Sequence, residues 1–154
     1  MPVLPLKLAV HSFTRTGHVM ADIKIFTPPT LGKPLGQYSQ ITRVKASEYI
    51  FIAGQVGIST DGIAVPPEDF DGQCVQIFAN LFAALQSCDA DWSNVVQFTT
   101  YMVDPNEIPK FMAYRLREFP KFFANGAYPP NTLLMINRLV HAEFRIEVSA
   151  IAAL

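Results

Sequence analysis

The side chain best placed for acid–base chemistry is Glu147, in the segment Phe144-Arg145-Ile146-Glu147-Val148-Ser149-Ala150. If that segment is a strand, Phe144, Ile146, Val148 and Ala150 share one face, and Arg145, Glu147 and Ser149 share the other. A carboxylate on a covered face needs a partner, because an isolated buried charge is costly. Two readings stay open. In one, Glu147 forms a structural ion pair with Arg145, Arg138 or Arg43. In the other it is a general acid or base in a cleft, where burial raises its pKa toward neutrality. Periodicity alone favours the ion pair.

The other reactive residue types are sparse. Three histidines, His11, His18 and His141, are scattered along the chain, and His141 falls in a turn between the last two strands. Cys74 and Cys88 both fall in a predicted first helix. A rise of about 1.5 Å per residue puts them roughly 21 Å apart, beyond disulfide reach. Two unpaired thiols fit a reducing, cytoplasmic compartment. No metal-ligand spacing, phosphate loop, dinucleotide fingerprint or nucleophile elbow is present, so no metal or cofactor is expected. Net charge is −1, with no Lys/Arg cluster, and this argues against nucleic acid as a partner. The chain is 50% hydrophobic and 16% charged, yet no run is long enough to span a membrane. Burial between subunits is the better outlet for that apolar surplus.

The elements that must position Glu147 are organised around Tyr49-Ile50-Phe51-Ile52-Ala53-Gly54-Gln55-Val56. This unbroken apolar run predicts a strand buried on both faces. Before it come a strand at Ile23–Thr27, a loop with Pro28, Pro29, Gly32, Pro34 and Gly36, and a strand at Tyr38–Val44. The turn Ala46-Ser47-Glu48 predicts that the second and third strands pair as a hairpin. Asp69 or Asp71 caps a helix reaching Gln86, with Val75, Phe78, Phe82 and Leu85 on its apolar face. Trp92 in the following loop reads as a packing residue. The stretch Val95–Val103 is another largely apolar strand. A second helix starts near Asp104-Pro105 and presents Ile108, Phe111, Met112, Leu116 and Phe119; Pro120 should kink or end it. Strands near Thr132–Asn137 and Glu143–Ala153 close the chain.

The order β-β-β-α-β-α-β-β implies an α+β domain with two helices on one sheet face. No element is left for the other face, so neighbouring subunits are expected to cover it. The domain is expected over residues 21–154. Residues 1–20 read as a weakly ordered extension preceding a natural start near Met20, with organelle targeting by residues 1–19 left open.

Four segments in this order resemble the RidA (YjgF) family: Gly36-Gln37-Tyr38-Ser39-Gln40, Phe51-Ile52-Ala53-Gly54-Gln55-Val56, Arg138-Leu139, and Ile146-Glu147-Val148-Ser149-Ala150-Ile151-Ala152. The resemblance covers about Ile23 to Ala152. It implies a chorismate-mutase-like α+β subunit in a homotrimer, with small-molecule clefts at the three interfaces. It also implies cofactor-free hydrolysis of reactive enamines and imines, such as 2-aminoacrylate, to keto acids and ammonia. In such a site Glu147 would hold the attacking water, and Tyr38 and the backbone near Ala53 and Gly54 would contact the ligand.

Several positions depart from the family pattern. Ala53 replaces a Ser, and Met112 falls where deaminases often carry Asn. The Arg that clamps the substrate carboxylate is matched by Asn131, followed by Thr132 for Ser and Leu133 for Cys. An Asn supplies no charged fork. The departure argues against 2-aminoacrylate deaminase activity and for a more apolar pocket. A non-catalytic small-molecule binder or chaperone-like protein using the same cleft is the alternative reading.

Overall fold

The computed structural model describes residues 21–154, and the expected extension over 1–20 lies outside them. The elements follow the expected order: β1 (Asp22–Phe26), β2 (Ile41–Lys45), β3 (Tyr49–Gln55), α1 (Phe70–Gln86), β4 (Val95–Met102), α2 (Ile108–Phe122), β5 (Asn131–Met135) and β6 (Ile146–Ala153). Four strands form one mixed sheet in the order β3-β6-β4-β5, with β4 and β5 parallel and the other neighbours antiparallel. Both helices pack on one face of it. The fold is α+β.

Strand pairing departs from the hairpin expectation. β2 pairs with β1, from Asp22 opposite Lys45 to Phe26 opposite Ile41. β3 pairs instead with β6, starting at Tyr49 opposite Ala153. The turn between β2 and β3 is fastened to the end of β6: the amides of Ser47 and Glu48 both donate to the Leu154 carbonyl, at 3.0 and 3.1 Å. That anchor lays β3 along β6 and away from β2.

The helices show how local chemistry and packing divide the work. Asp69 caps α1, its carboxylate accepting from the Gly72 amide at 2.9 Å. The buried stripe of α1 runs through Cys74, Ile77, Phe78, Leu81 and Leu85, while Val75 is half exposed. The three-and-four spacing of the stripe leaves no room for Val75 on the core side. In α2, Phe111 and Phe119 are buried as expected, but Leu116 points outward and Arg115 inward. Pro120 does not stop α2, which runs on to Phe122. Its missing N–H lies on the exposed side of the helix, where water can satisfy the carbonyl left free. Trp92 packs as expected, stacked on Phe122 with ring centroids 4.7 Å apart.

The core lies between the helices and the inward side chains of the sheet, Phe98, Met102, Ile146, Val148, Ala150 and Ala152. Ile50 and Ile52 of β3 pack against it. The opposite sheet face is uncovered within the single chain: Phe51 is 77% exposed and Tyr49 47%. Thus β3 is apolar on both faces, but one chain covers only one of them.

Candidate functional site

The β3–β6 ladder is irregular at one place. Ile52 pairs with Ala150 and Gln55 with Val148, so three steps on β3 face two on β6. Ala53-Gly54 therefore forms a β-bulge. The bulge changes which way the strand faces. Ile50 and Ile52 point at the core, yet Gly54, in phase with them by simple alternation, turns to the outer face. There it meets Glu147. A Cβ on Gly54 would come within 2.6 Å of the Glu147 Cδ and 2.8 Å of its Cγ. Only a glycine lets this carboxylate lie across the β3 backbone.

Glu147 stands opposite Tyr101 on β4. Together with Gly54, Ser149 and Arg138 they line an open cleft of about 480 Å³, walled by Ile136 and Leu139. Arg138 reaches it through the segment after β5. Leu139 is buried and anchors that segment, which leaves its neighbours Arg138 and Val140 outside. Arg138 donates through Nε to the Leu139 carbonyl at 3.3 Å and through a terminal nitrogen to the Val140 carbonyl at 3.4 Å.

The expected ion pair between Glu147 and an arginine is not made. Arg145 turns to the segment after β4, bonding Glu107 at 3.0 Å and Asp104 at 3.1 Å. Among the described residues Glu147 has no ion-pair partner, although Arg138 shares its cleft. The loop after β3 and the approach to β6 are tied together by the buried Gln73. Its amide nitrogen donates to the carbonyls of Val65 at 3.1 Å and Glu143 at 2.8 Å, and its oxygen accepts from the Arg145 amide at 2.9 Å. Asn80 holds the same loop through the Val56 and Ile58 carbonyls.

The remaining candidate residues divide into two further groups. Tyr38 lies in a bend before β2, where its hydroxyl accepts from the Leu35 amide at 3.4 Å. That bend rests on α2: the Met112 Sδ is 3.2 Å from where a Cβ of Gly36 would stand, and Arg115 donates to the Gln37 carbonyl. Sequence periodicity missed Arg115. Its guanidinium is buried over the rings of Phe119 and Phe111, at 4.6 and 5.5 Å. Burial lowers its pKa to about 10, opposed by the charge of nearby Tyr38.

On β5, Asn131 faces the helix side, where its side-chain oxygen accepts from the Thr100 hydroxyl at 2.8 Å. Leu133 packs on the core, and Thr132 is exposed opposite Thr99, which itself faces Ser149. Within one chain, then, Gly54 and Glu147 meet, with Ala53 beside them on the bulge. Tyr38, Met112, Asn131 and Leu133 lie outside their cleft. Among the described residues no group of His, Cys, Asp and Glu side chains is placed to hold a metal ion.

A carboxylate without a counter-ion, next to a phenol, a hydroxyl and a guanidinium, can accept a proton from bound water and pass it on. Residues 30–154 match the family described as Endoribonuclease L-PSP. A RutC family protein of Pyrococcus abyssi is 30% identical over 133 residues, covering 86% of this chain and 98% of that protein. A mouse protein named 2-iminobutanoate/2-iminopropanoate deaminase is 26% identical over 129 residues, covering 84% of this chain and 90% of its own length. Among solved structures, the Rid-family protein YyfB of Yersinia pestis superposes with a TM-score of 0.75 at 25% identity, covering 86% of this chain and 98% of that one.

Proposed function

Since the chain belongs to the RidA (YjgF) family, described as Endoribonuclease L-PSP, we propose that it hydrolyses a small imine or enamine at Glu147, in clefts at the interfaces of a homotrimer. The carrying observation is the Glu147 carboxylate lying over Gly54 in an open cleft with no ion-pair partner among the described residues. In this reading Glu147 takes a proton from a bound water as the oxygen adds to the C=N carbon. That proton passes to nitrogen, giving a carbinolamine; Glu147 then moves the carbinol hydroxyl proton to the same nitrogen, the C–N bond breaks, ammonia leaves and the C=O bond forms. One water is consumed and Glu147 is restored. An enamine first tautomerises to the imine by moving a proton from nitrogen to carbon.

The uncovered sheet face supports the trimer. Phe51, Tyr49 and Leu134 on that face are each at least 40% exposed in the single chain. In this reading a neighbouring subunit covers them and closes the open side of the cleft. Residues 21–154 act as one domain, and the free thiols Cys74 and Cys88 suit the cytoplasm.

The test is Glu147→Gln assayed on 2-iminobutanoate generated in solution. A turnover drop of about a hundredfold or more is expected; undiminished turnover removes the role given to Glu147. One observation favours a second reading, a non-catalytic binder. The position of the family's clamping Arg is an Asn whose oxygen is taken by Thr100. Saturable binding by the wild-type protein without product would establish it.

A further inference from the structure

Among the described residues two charged side chains are buried, Glu107 at 6% exposure and Arg115 at 1%. Their surroundings differ. Glu107 is met by Arg145 at 3.0 Å and by Lys110 at 3.5 Å. Arg115 pairs with no carboxylate among the described residues, whereas Arg117 and Arg145 each bond two. Its guanidinium lies over the rings of Phe119 and Phe111, a terminal nitrogen donates to the Gln37 carbonyl, and Nε finds no acceptor. Two ring faces and one carbonyl replace the water that a guanidinium otherwise holds, which leaves the burial costly. Packing alone does not ask for an arginine here, since an unbranched apolar side chain such as Met fills a similar volume without that cost. What an apolar side chain cannot supply is the bond to Gln37.

That bond is made to the bend before β2. The Tyr38 amide closes the bend on the Gly36 carbonyl at 2.9 Å, and the Tyr38 hydroxyl accepts from the Leu35 amide at 3.4 Å. A Cβ at Gly36 would stand 3.2 Å from the Met112 Sδ, so the backbone lies close against α2. Gln37 is where α2 grips the bend, and Tyr38 follows it directly. The Tyr38 phenol is near enough for its charge to act on the guanidinium. Resting on the interface-cleft reading above, with Tyr38 as a contact of the bound molecule, we propose that Arg115 is a positioning residue: its bond to the Gln37 carbonyl fixes the bend on α2 and so sets where the Tyr38 side chain stands. Met112 gives the bend a surface to rest on, but a flexible thioether adapts to many positions. The guanidinium adds direction, because a hydrogen bond constrains both the distance and the angle of the carbonyl. Buried as it is, Arg115 touches no bound molecule itself and acts through Gln37 and Tyr38.

The test follows 2-iminobutanoate hydrolysis by the full chain and by Tyr38→Ala, Arg115→Met, Arg115→Lys and the double variant Tyr38→Ala with Arg115→Met. Arg115→Met should raise KM about tenfold with kcat nearly unchanged, since the proton transfers belong to Glu147. Tyr38→Ala should do the same, and the double variant should be no worse than Tyr38→Ala alone, because the two residues act as one unit. Arg115→Lys keeps a charged donor and should recover part of the loss. A purely structural role lowers the melting temperature of Arg115→Met. The expected result is a melting temperature equal to or above that of the wild type, with faster hydrogen exchange at the Tyr38 amide. The assignment is overturned by a wild-type KM in Arg115→Met, by losses that multiply in the double variant, or by a melting temperature that falls together with turnover. An unaffected Tyr38→Ala beside an active wild type removes Tyr38 from the site and the role of Arg115 with it. A wild type that leaves the imine at its spontaneous rate removes the cleft reading on which both rest.

Discussion

The side chain of Glu147 lies across the backbone of Gly54, in the volume that a Cβ at position 54 would occupy. The two residues sit on neighbouring strands, and the bulge at Ala53-Gly54 is what turns them toward each other. Gly54→Ala should therefore act through Glu147. We expect a loss of about 1–3 kcal/mol of stability from the forced overlap. In a Glu147→Ala background the same change should cost much less, and urea unfolding of the four variants gives the coupling. Equal costs in both backgrounds would show that the two residues do not share this space.

Phe51 is 77% exposed on a face otherwise made of strand side chains. Phe51→Lys should leave the single chain folded and weaken its self-association. Light scattering after gel filtration should show a trimer for the wild type and a smaller species for the variant. An unchanged mass would place the subunit interface elsewhere.

Gln73 is fully buried and bonds three residues in two segments at once. Gln73→Leu keeps the bulk but orphans the Glu143 and Val65 carbonyls and the Arg145 amide. A destabilisation of about 2 kcal/mol or more is expected from such orphaned groups, read by chemical denaturation. Hydrogen exchange should also quicken at the start of β6, because Arg145 is held two residues before Glu147.

Cys74 gives the protein an alkaline weakness. Burial pushes its thiol pKa well above the ordinary value, with the charge of Asp71 adding to the rise. The folded chain thus keeps the proton at a pH where the unfolded chain releases it. The unfolded state binds fewer protons there, so stability falls as pH rises above about 9. The slope is at most about 1.4 kcal/mol per pH unit for one group. Cys74→Ala should show a smaller loss of melting temperature between pH 8 and pH 10. An identical slope in both proteins would remove Cys74 as the cause.

The order of elements, a cap at Asp69 or Asp71 and the uncovered sheet face were all legible in the sequence, because each rests on local spacing or on apolar pattern. Glu147 could be picked out as an outward residue of the last strand for the same reason. The bulge could not. Simple alternation sends Gly54 inward with Ile50 and Ile52, and only the register against β6 reverses it. Arg115 was hidden in another way. Its charge marks it as exposed by type, while the packing of α2 buries it between Phe111, Phe119 and the Gln37 carbonyl. The β2–β3 turn was misleading because nearness in sequence favours a hairpin, whereas the Ser47 and Glu48 amides are captured by the far end of the chain. Arg138 was visible only as part of a motif. Its place beside Glu147 depends on the buried anchor Leu139.

The sheet order β3-β6-β4-β5 puts the last strand of the chain between two made much earlier. Neither β3 nor β4 has its shared neighbour until β6 has left the ribosome. The sheet cannot zip from its N-terminal end, and the chain must be made through Ala153 before the central ladders close. Until then Tyr49–Gln55 has no strand partner in this sheet and Val95–Met102 is unpaired along one edge, in the state most exposed to aggregation. Early termination within Ile146–Ala153 should therefore yield insoluble chains rather than a trimmed but folded protein, since what is lost is the middle of the sheet.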